Sequence, residues 1–367
     1  MRDWLLASQA VRRLSANNTY IEQTSCADRR LIAMAETRRC LVIGGAGFIG
    51  SHLVEFLSER GDDVLVLDNL SSGALKNVSL ASKRVSVVRG DISNQSHLEK
   101  CVSKIRPQLI FNLAATNLLG SLKDPAKDLR ITAVGSLNVL EMARKSHFVE
   151  RVIFASSGSV YGEAVYSPQD EGHPLGPNSP YGATKLLAEK YHEVWRKLYH
   201  ISFSSLRLYN VYGPRQDCSR QGGVIPIFIN KMLGRERPTV EGSGRQKRCF
   251  TYVTDVVRAF ALASEHPEAD GLTFNVASKE VCTVLELVDK LNQLMGTHID
   301  PVFAQPRPGD VMDFRPDISL AEKKLGYKPR VSLEEGLSHT IEWLKEVGRG
   351  GTSRKAKDRT SLPKRPG

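Results

Sequence analysis

Cys40-Leu41-Val42-Ile43-Gly44-Gly45-Ala46-Gly47-Phe48-Ile49-Gly50-Ser51-His52 is the stretch that decides the fold. The apolar run Leu41-Val42-Ile43 reads as a buried strand. Gly44, Gly47 and Gly50 follow at a spacing of three, and an apolar-periodic segment from Phe48 to Leu57 reads as a helix. Strand, glycine turn and helix are the setting of a dinucleotide fingerprint. The first glycine permits a tight turn, the second lets backbone approach a pyrophosphate, and the third lets helix and strand pack closely. The N–H groups of Phe48 and Ile49 then face the phosphates from the positive end of the helix. A second strand, Val64-Leu65-Val66-Leu67, ends in Asp68, eighteen residues past Gly50. An acid there accepts from the adenosine ribose hydroxyls and repels a 2′-phosphate, so NAD is expected over NADP.

Working outward, strands and helices alternate. Asn69-Leu-Ser-Ser-Gly73 is a polar turn beside the adenosine. A strand at 84–89 leads into Gly90-Asp91-Ile92, where Asp91 suits the adenine amino group, the N-cap of a helix over 95–103, or both together. Leu109–Asn112 is a further strand, and the small residues of Leu113-Ala114-Ala115 let the chain pass under the cofactor. A helix is expected from about Pro125 to Lys145. The strand 151–155 runs into Ser156-Ser157-Gly158-Ser159-Val160-Tyr161-Gly162, and ligands of open α/β sheets gather at such strand ends.

After the strand 201–208 the alternation breaks. Shorter elements at 224–233, 255–264, 273–276, 283–294 and 333–344 read as a smaller α/β substrate-binding lobe over the sheet's active edge. The fold class is therefore α/β: a Rossmann-type doubly wound parallel sheet with a second lobe. Residues 39–210 form the NAD-binding part and 211–347 mainly the lobe, interwoven with it. Residues 1–38 are expected as a poorly ordered extension, with Met34 an alternative start, and 348–367 as a basic disordered tail.

Charge fits this division. The 367 residues carry a net +11, of which 348–367 hold +6 and 1–38 hold +2. The excess is therefore terminal, which favours solvated tails over a nucleic-acid surface. No run approaches a membrane span. The six cysteines lack C-x-x-C spacing, so neither a metal site nor a disulfide framework is expected, and reduced thiols suit a cytoplasmic protein.

Tyr181-Gly-Ala-Thr-Lys185 opens a helix running to about Tyr199. Tyr181 and Lys185, at i and i+4, share one face. Lys185 is placed to bond the nicotinamide ribose, and its charge is expected to lower the phenol pKa so that Tyr181 serves as a base. Ser156, Ser157 and Ser159 compete as the hydroxyl that assists it.

Together, Gly44–His52, Asp68–Gly73, Gly90-Asp91, Asn112–Ala115, Ser156–Gly162, Tyr181–Lys185, Arg207–Arg215, Arg248–Asp255 and Arg307–Asp310 make the chain resemble an extended short-chain dehydrogenase/reductase. The match is to the NAD-dependent nucleotide-sugar epimerases and dehydratases, and it covers residues 39–345. The resemblance implies Tyr181 as base, Lys185 as its helper and Ser157 as the substrate's hydroxyl partner. It implies a cofactor site of Gly44, Gly47, Phe48, Ile49, Gly50, Asp68, Asn69, Gly73, Asp91, Ile92, Leu113, Ala114 and Ala115 with Tyr181 and Lys185. For the substrate it implies Ser157, Asn210 at the diphosphate, Val224 near the base, and Arg248 and Arg307 as a phosphate clamp, with Asp310 beside it. Two guanidinium groups suit a diphosphate.

Two departures narrow the member. The dehydratases and decarboxylases carry an acid in the serine loop, where this chain has Gly158 and Ser159. Thr132 stands where the family usually has Asn. A bulky residue near Phe314 narrows the sugar pocket in similar epimerases. The implied activity is a UDP-sugar 4-epimerase working through a transient 4-keto intermediate, with a decarboxylase or dehydratase as the alternative. A nucleotide-binding regulatory or RNA-associated protein is the alternative from another class. A homodimer is implied through helices at about 126–145 and 180–199.

Overall fold

The computed structural model describes residues 37–80, 82–219, 222–306 and 312–358, the last ten as backbone. Met34, Arg307, Asp310 and nearly all of the expected N-terminal extension lie outside the described residues.

The alternation is realised as β1 (Arg39–Ile43), α1 (Phe48–Arg60), β2 (Asp63–Asp68), β3 (Val85–Arg89), α2 (Gln95–Ile105) and β4 (Leu109–Asn112). Helical pieces α3 (Leu118–Lys123), α4 (Pro125–Asp128) and α5 (Gly135–Lys145) follow, with a π-helical turn, Leu129–Val134, joining the last two. Then come β5 (Arg151–Ser157), α6 (Pro180–Tyr199) and β6 (Phe203–Leu208).

The lobe adds β7 (Val211–Tyr212), α7 (Val224–Leu233), β8 (Thr239–Glu241), β9 (Lys247–Cys249), β10 (Thr251–Tyr252), α8 (Val253–Glu265), β11 (Leu272–Val276), β12 (Val281–Thr283), α9 (Val284–Met295), β13 (Val302–Ala304), β14 (Asp313–Phe314), α10 (Ser319–Leu325) and α11 (Leu333–Asp358).

The main sheet has seven strands in the order β3-β2-β1-β4-β5-β6-β11. Every pairing in it is parallel. The strands are continuous apolar runs because helices cover both faces. Leu53, Leu57, Val256 and Phe260 of α1 and α8 fill one face, and Leu98, Val102, Val139 and Met142 of α2 and α5 the other. The order reverses at β1, so the carboxyl ends of β1 and β4 diverge there and open a crevice. β11 and α8 return from beyond residue 211 to complete this layer, which is why a boundary near Asn210 is approximate. A separate core of Ile225, Phe228, Leu287, Leu291, Leu337 and Ile341 holds the lobe.

Two expectations change. The helix at 125–145 is interrupted by its π turn, where the Ser136 hydroxyl donates to the Thr132 carbonyl at 2.6 Å. The last helix continues to Asp358, past the expected boundary at 347. Lys and Arg, the residues that suggested a solvated tail, are also good helix formers.

Candidate active site

The glycine loop closes on backbone alone. Gly44 has φ +79°, and a Cβ there would lie 3.0 Å from Ala114 N. A Cβ on Gly50 would fall 2.2 Å from the Gly44 carbonyl oxygen. Gly44 N–H donates to Leu67 O at 2.8 Å and Leu113 N–H to Ile43 O at 2.9 Å, which locks the loop between β2 and β4. Helix α1 starts at Gly47 without a side-chain cap, leaving its first-turn N–H groups to a ligand. Phe48 and Ile49 are half-buried there, and Leu113, Ala114 and Ala115 line the opposite side.

Asp68 is buried at the end of β2. Its carboxylate accepts from Ala46 N at 2.9 Å and Leu70 N at 2.7 Å. A carboxylate offers about four acceptor positions, so capacity remains for ribose hydroxyls. Gly73 packs on the backbone of Ala46 and Gly47. Asp91 is not an N-cap, since Asn94 caps α2 by accepting from Ser96 N–H. Asp91 instead accepts from Asn69 Nδ2 at 2.8 Å and from the Ser93 hydroxyl at 2.6 Å, with Ile92 buried beside it. An uncapped helix start, a cradle with no room for Cβ atoms and an acid at the ribose position fit NAD.

Across the crevice, β5 ends in Ser156 and Ser157, which face different ways, and Ser159 follows in the next turn. The Ser156 hydroxyl donates to Glu189. Ser157 caps a short turn, accepting from Ser159 N–H at 3.2 Å and donating to Ser159 Oγ at 3.1 Å, and it lies beside the Tyr181 phenol, whose pKa it lowers. The structure therefore brings Ser157, rather than Ser156, to Tyr181. Ser179 caps α6 by accepting from Gly182 N–H, and Pro180 occupies the first turn, so the helix begins at the mouth of the crevice. Lys185, one turn on, is buried and donates to the Ala155 carbonyl at 2.6 Å.

The electrostatics correct one expectation. Tyr181 is pushed up to about 12: burial raises it most, the Ser157 hydrogen bond lowers it, and the Asp128 charge raises it. Lys185 does not lower it, because the lysine has lost its charge before the phenol ionises; its Nζ rests on the Ala155 carbonyl, 5.7 Å from the Tyr181 ring centre. Lys185 itself falls to about 8 through burial, partly offset by Asp128 and Glu189.

Sequence reasoning missed what braces this corner. Glu189, on the face of Tyr181 and Lys185, forms a buried two-pronged pair with Arg207 of β6 at 2.7 and 3.0 Å. Arg207 also donates to Tyr161 OH at 2.7 Å, and Tyr161 donates to Asn275 Oδ1 at 2.9 Å. The i+8 position of Glu189 from Tyr181 was the available signal.

On the lobe side, Asn210 sits at φ 38° and donates from Nδ2 to Cys249 O at 3.2 Å. That bond ties it to the strand carrying Arg248, whose Nη1 donates to the Lys247 carbonyl. Arg248 pairs in register with Phe314 of β14, and Val224 opens α7 half-buried. Phe314 packs on Tyr209 with ring centres 4.6 Å apart. A Cβ on Gly158 would lie 2.5 Å from the Tyr209 ring and 2.8 Å from Phe314. Thr132 is buried and donates to Asp128 at 3.3 Å, so this residue bonds within the helix start.

The family model for GDP-mannose 4,6 dehydratase matches residues 41–340. The chain belongs to the GDP-mannose 4,6 dehydratase family. This is the extended short-chain dehydrogenase/reductase resemblance seen in the motifs. Within the family, the chain is similar to the UDP-glucose 4-epimerase of Mycolicibacterium smegmatis, 37% identical over 84% of this chain and 98% of that one. The UDP-glucose 4-epimerase of Thermotoga maritima, solved with UDP-glucose, superposes with TM-score 0.81 at 40% identity, covering 84% and 99% of the two chains. That of Thermus thermophilus, solved as a complex with NAD, superposes with TM-score 0.77 at 35% identity, covering 84% and 99%.

Proposed function

We propose that this member of the GDP-mannose 4,6 dehydratase family is an NAD-dependent UDP-sugar 4-epimerase. The observation that carries this reading is Ser157 beside the Tyr181 phenol, with Lys185 one turn along the same helix, next to a turn that holds no carboxyl group. Bound in the Gly44–Gly50 cradle, NAD supplies the oxidant for the sugar C4 and, once reduced, the reductant that returns the hydrogen. Tyr181 takes the O4 proton and gives it back, and Ser157, beside the phenol, helps relay it. Lys185, cationic below about 8, favours the phenolate form when it swings from Ala155 toward the ribose. The 4-keto sugar turns over in place while its diphosphate stays held by Asn210, Arg248 and Arg307, with Val224 at the base.

The filled space around Gly158 speaks against the dehydratase and decarboxylase alternatives. An acid there would collide with Tyr209 and Phe314. The protein acts as a homodimer through the π turn with α5 and through α6; Leu129 and Val134 of the turn and Leu187, Val194, Leu198 and Tyr199 of α6 are exposed. It works in the cytoplasm, and among the described residues no helix is long and apolar enough to cross a membrane.

Separate incubations with UDP-glucose, UDP-galactose, UDP-N-acetylglucosamine and UDP-glucuronate, followed by NMR, should give a C4 epimer from one. Release of carbon dioxide or a 6-deoxy product refutes the reading. Tyr181→Phe should lower turnover by roughly 10²–10⁴-fold while NAD binding persists. A purely regulatory or RNA-binding protein would keep its function in that variant.

A further inference from the structure

Asp128 is fully buried at the last turn of α4, where the helix enters its π segment. Three hydroxyls donate to its carboxylate, each from a different part of the site. Thr116 comes from the loop after Ala114-Ala115 on the cofactor side. Thr132 comes from the π turn at 3.3 Å. Thr184 comes from α6 at 2.5 Å and is the neighbour of Lys185. A π turn accommodates an extra residue per turn and is frequent at functional sites. Here it sets Thr132 against the same carboxylate that Thr184 reaches from 56 residues away in sequence.

We propose that Asp128 is a positioning residue of the reaction. It clamps the cofactor-side loop, the π turn and the Tyr181–Lys185 helix together, and it supplies the fixed negative charge against which that pair works. This rests on the epimerase reading of the site. A buried charge held by three neutral hydroxyls is weakly screened and acts strongly on groups nearby. Its influence reaches both partners in one direction, favouring the protonated phenol and the protonated ammonium. The other groups facing the pair are Glu189 on α6, which Arg207 of β6 already neutralises, and the uncharged Ser157 of β5. Asp128 is thus the one carboxylate without a cationic partner among those named as acting on the pair.

The decisive variant is Asp128→Asn in the NAD-loaded protein. Near-ultraviolet titration, with Tyr181→Phe as the baseline, reports the Tyr181 phenolate without any turnover. Removing the negative charge should move that titration to lower pH by roughly half a unit or more. With the epimerised sugar nucleotide, kcat should fall by roughly tenfold or more at little-changed KM, and the pH profile should move in the acid direction. An unmoved titration together with a wild-type pH profile overturns the proposal.

Should Asp128→Asn not fold, Thr184→Val keeps the charge and drops one anchor. It should lower kcat several-fold, with recovery in Thr184→Ser, whereas wild-type kcat in Thr184→Val overturns the clamp. If no sugar nucleotide is epimerised by the wild type but the phenol titration still shifts, the functional reading fails and the role of Asp128 stands.

Discussion

The two walls of the crevice are built on opposite principles. The glycine-loop wall is nearly all backbone. Its shape depends on Cβ atoms being absent at Gly44 and Gly50, and it contributes N–H groups and a helix dipole. The facing wall is made of buried charged side chains, Asp128, Lys185, Glu189 and Arg207, each held by partners elsewhere in the chain. One wall is sensitive to an added carbon, the other to a lost charge. The difference teaches that a rigid cofactor seat needs little chemistry, whereas a tuned acid–base pair needs a dry electrostatic frame.

The largest effect should come from breaking the charged wall. Arg207→Met leaves the buried Glu189 without its two-pronged guanidinium partner, and such a loss typically costs about 3–5 kcal/mol. Chemical denaturation should report it, and replacing Glu189 together with Arg207 by apolar residues should recover much of the loss. A single variant that unfolds like wild type would erase the distinction between the walls.

Next is Gly50→Ala. Its methyl group, 2.2 Å from Gly44 O, forces the loop open, and overpacking of this kind costs about 1–3 kcal/mol. The more telling readout is NAD binding, which should weaken sharply even where thermal unfolding shifts little. Retention of NAD at wild-type affinity would mean that the loop bends freely.

The smallest effect sharpens the charged wall further. Burial lowers Lys185 to about 8, so its ammonium is present below that pH and is lost above it. Turnover should therefore decline as pH rises through about 8, well before an ordinary lysine at about 10.4 would titrate. Lys185→Arg should act more slowly but without that decline. A profile that stays flat far beyond this pH would show that the lysine charge is dispensable.

The same contrast explains what was legible in the sequence. The glycine wall could be read because each requirement is local. A tight turn, a close approach and a helix start lie within a few residues of one another, and Asp68 follows at the end of the next strand. Tyr181 and Lys185 were legible for the same reason, as neighbours on one helix face. Asp128 was not, because its meaning depends on Thr184 at 56 residues' distance and on a π turn that periodicity does not announce. Arg207 read as part of a strand–loop motif, while its role as the counter-ion of Glu189 needed two elements packed side by side.

By itself the sequence determined the parallel sheet, the cofactor cradle and the pairing of Tyr181 with Lys185 on one helix face, since these follow from short-range spacing and from unbroken apolar runs. Only the tertiary structure decided which serine meets Tyr181, where the Lys185 ammonium rests and what fills the space over Gly158. Those outcomes arise from side chains buried together from separate elements. There a single hydrogen bond or ring contact, unscreened by water, outweighs any local preference.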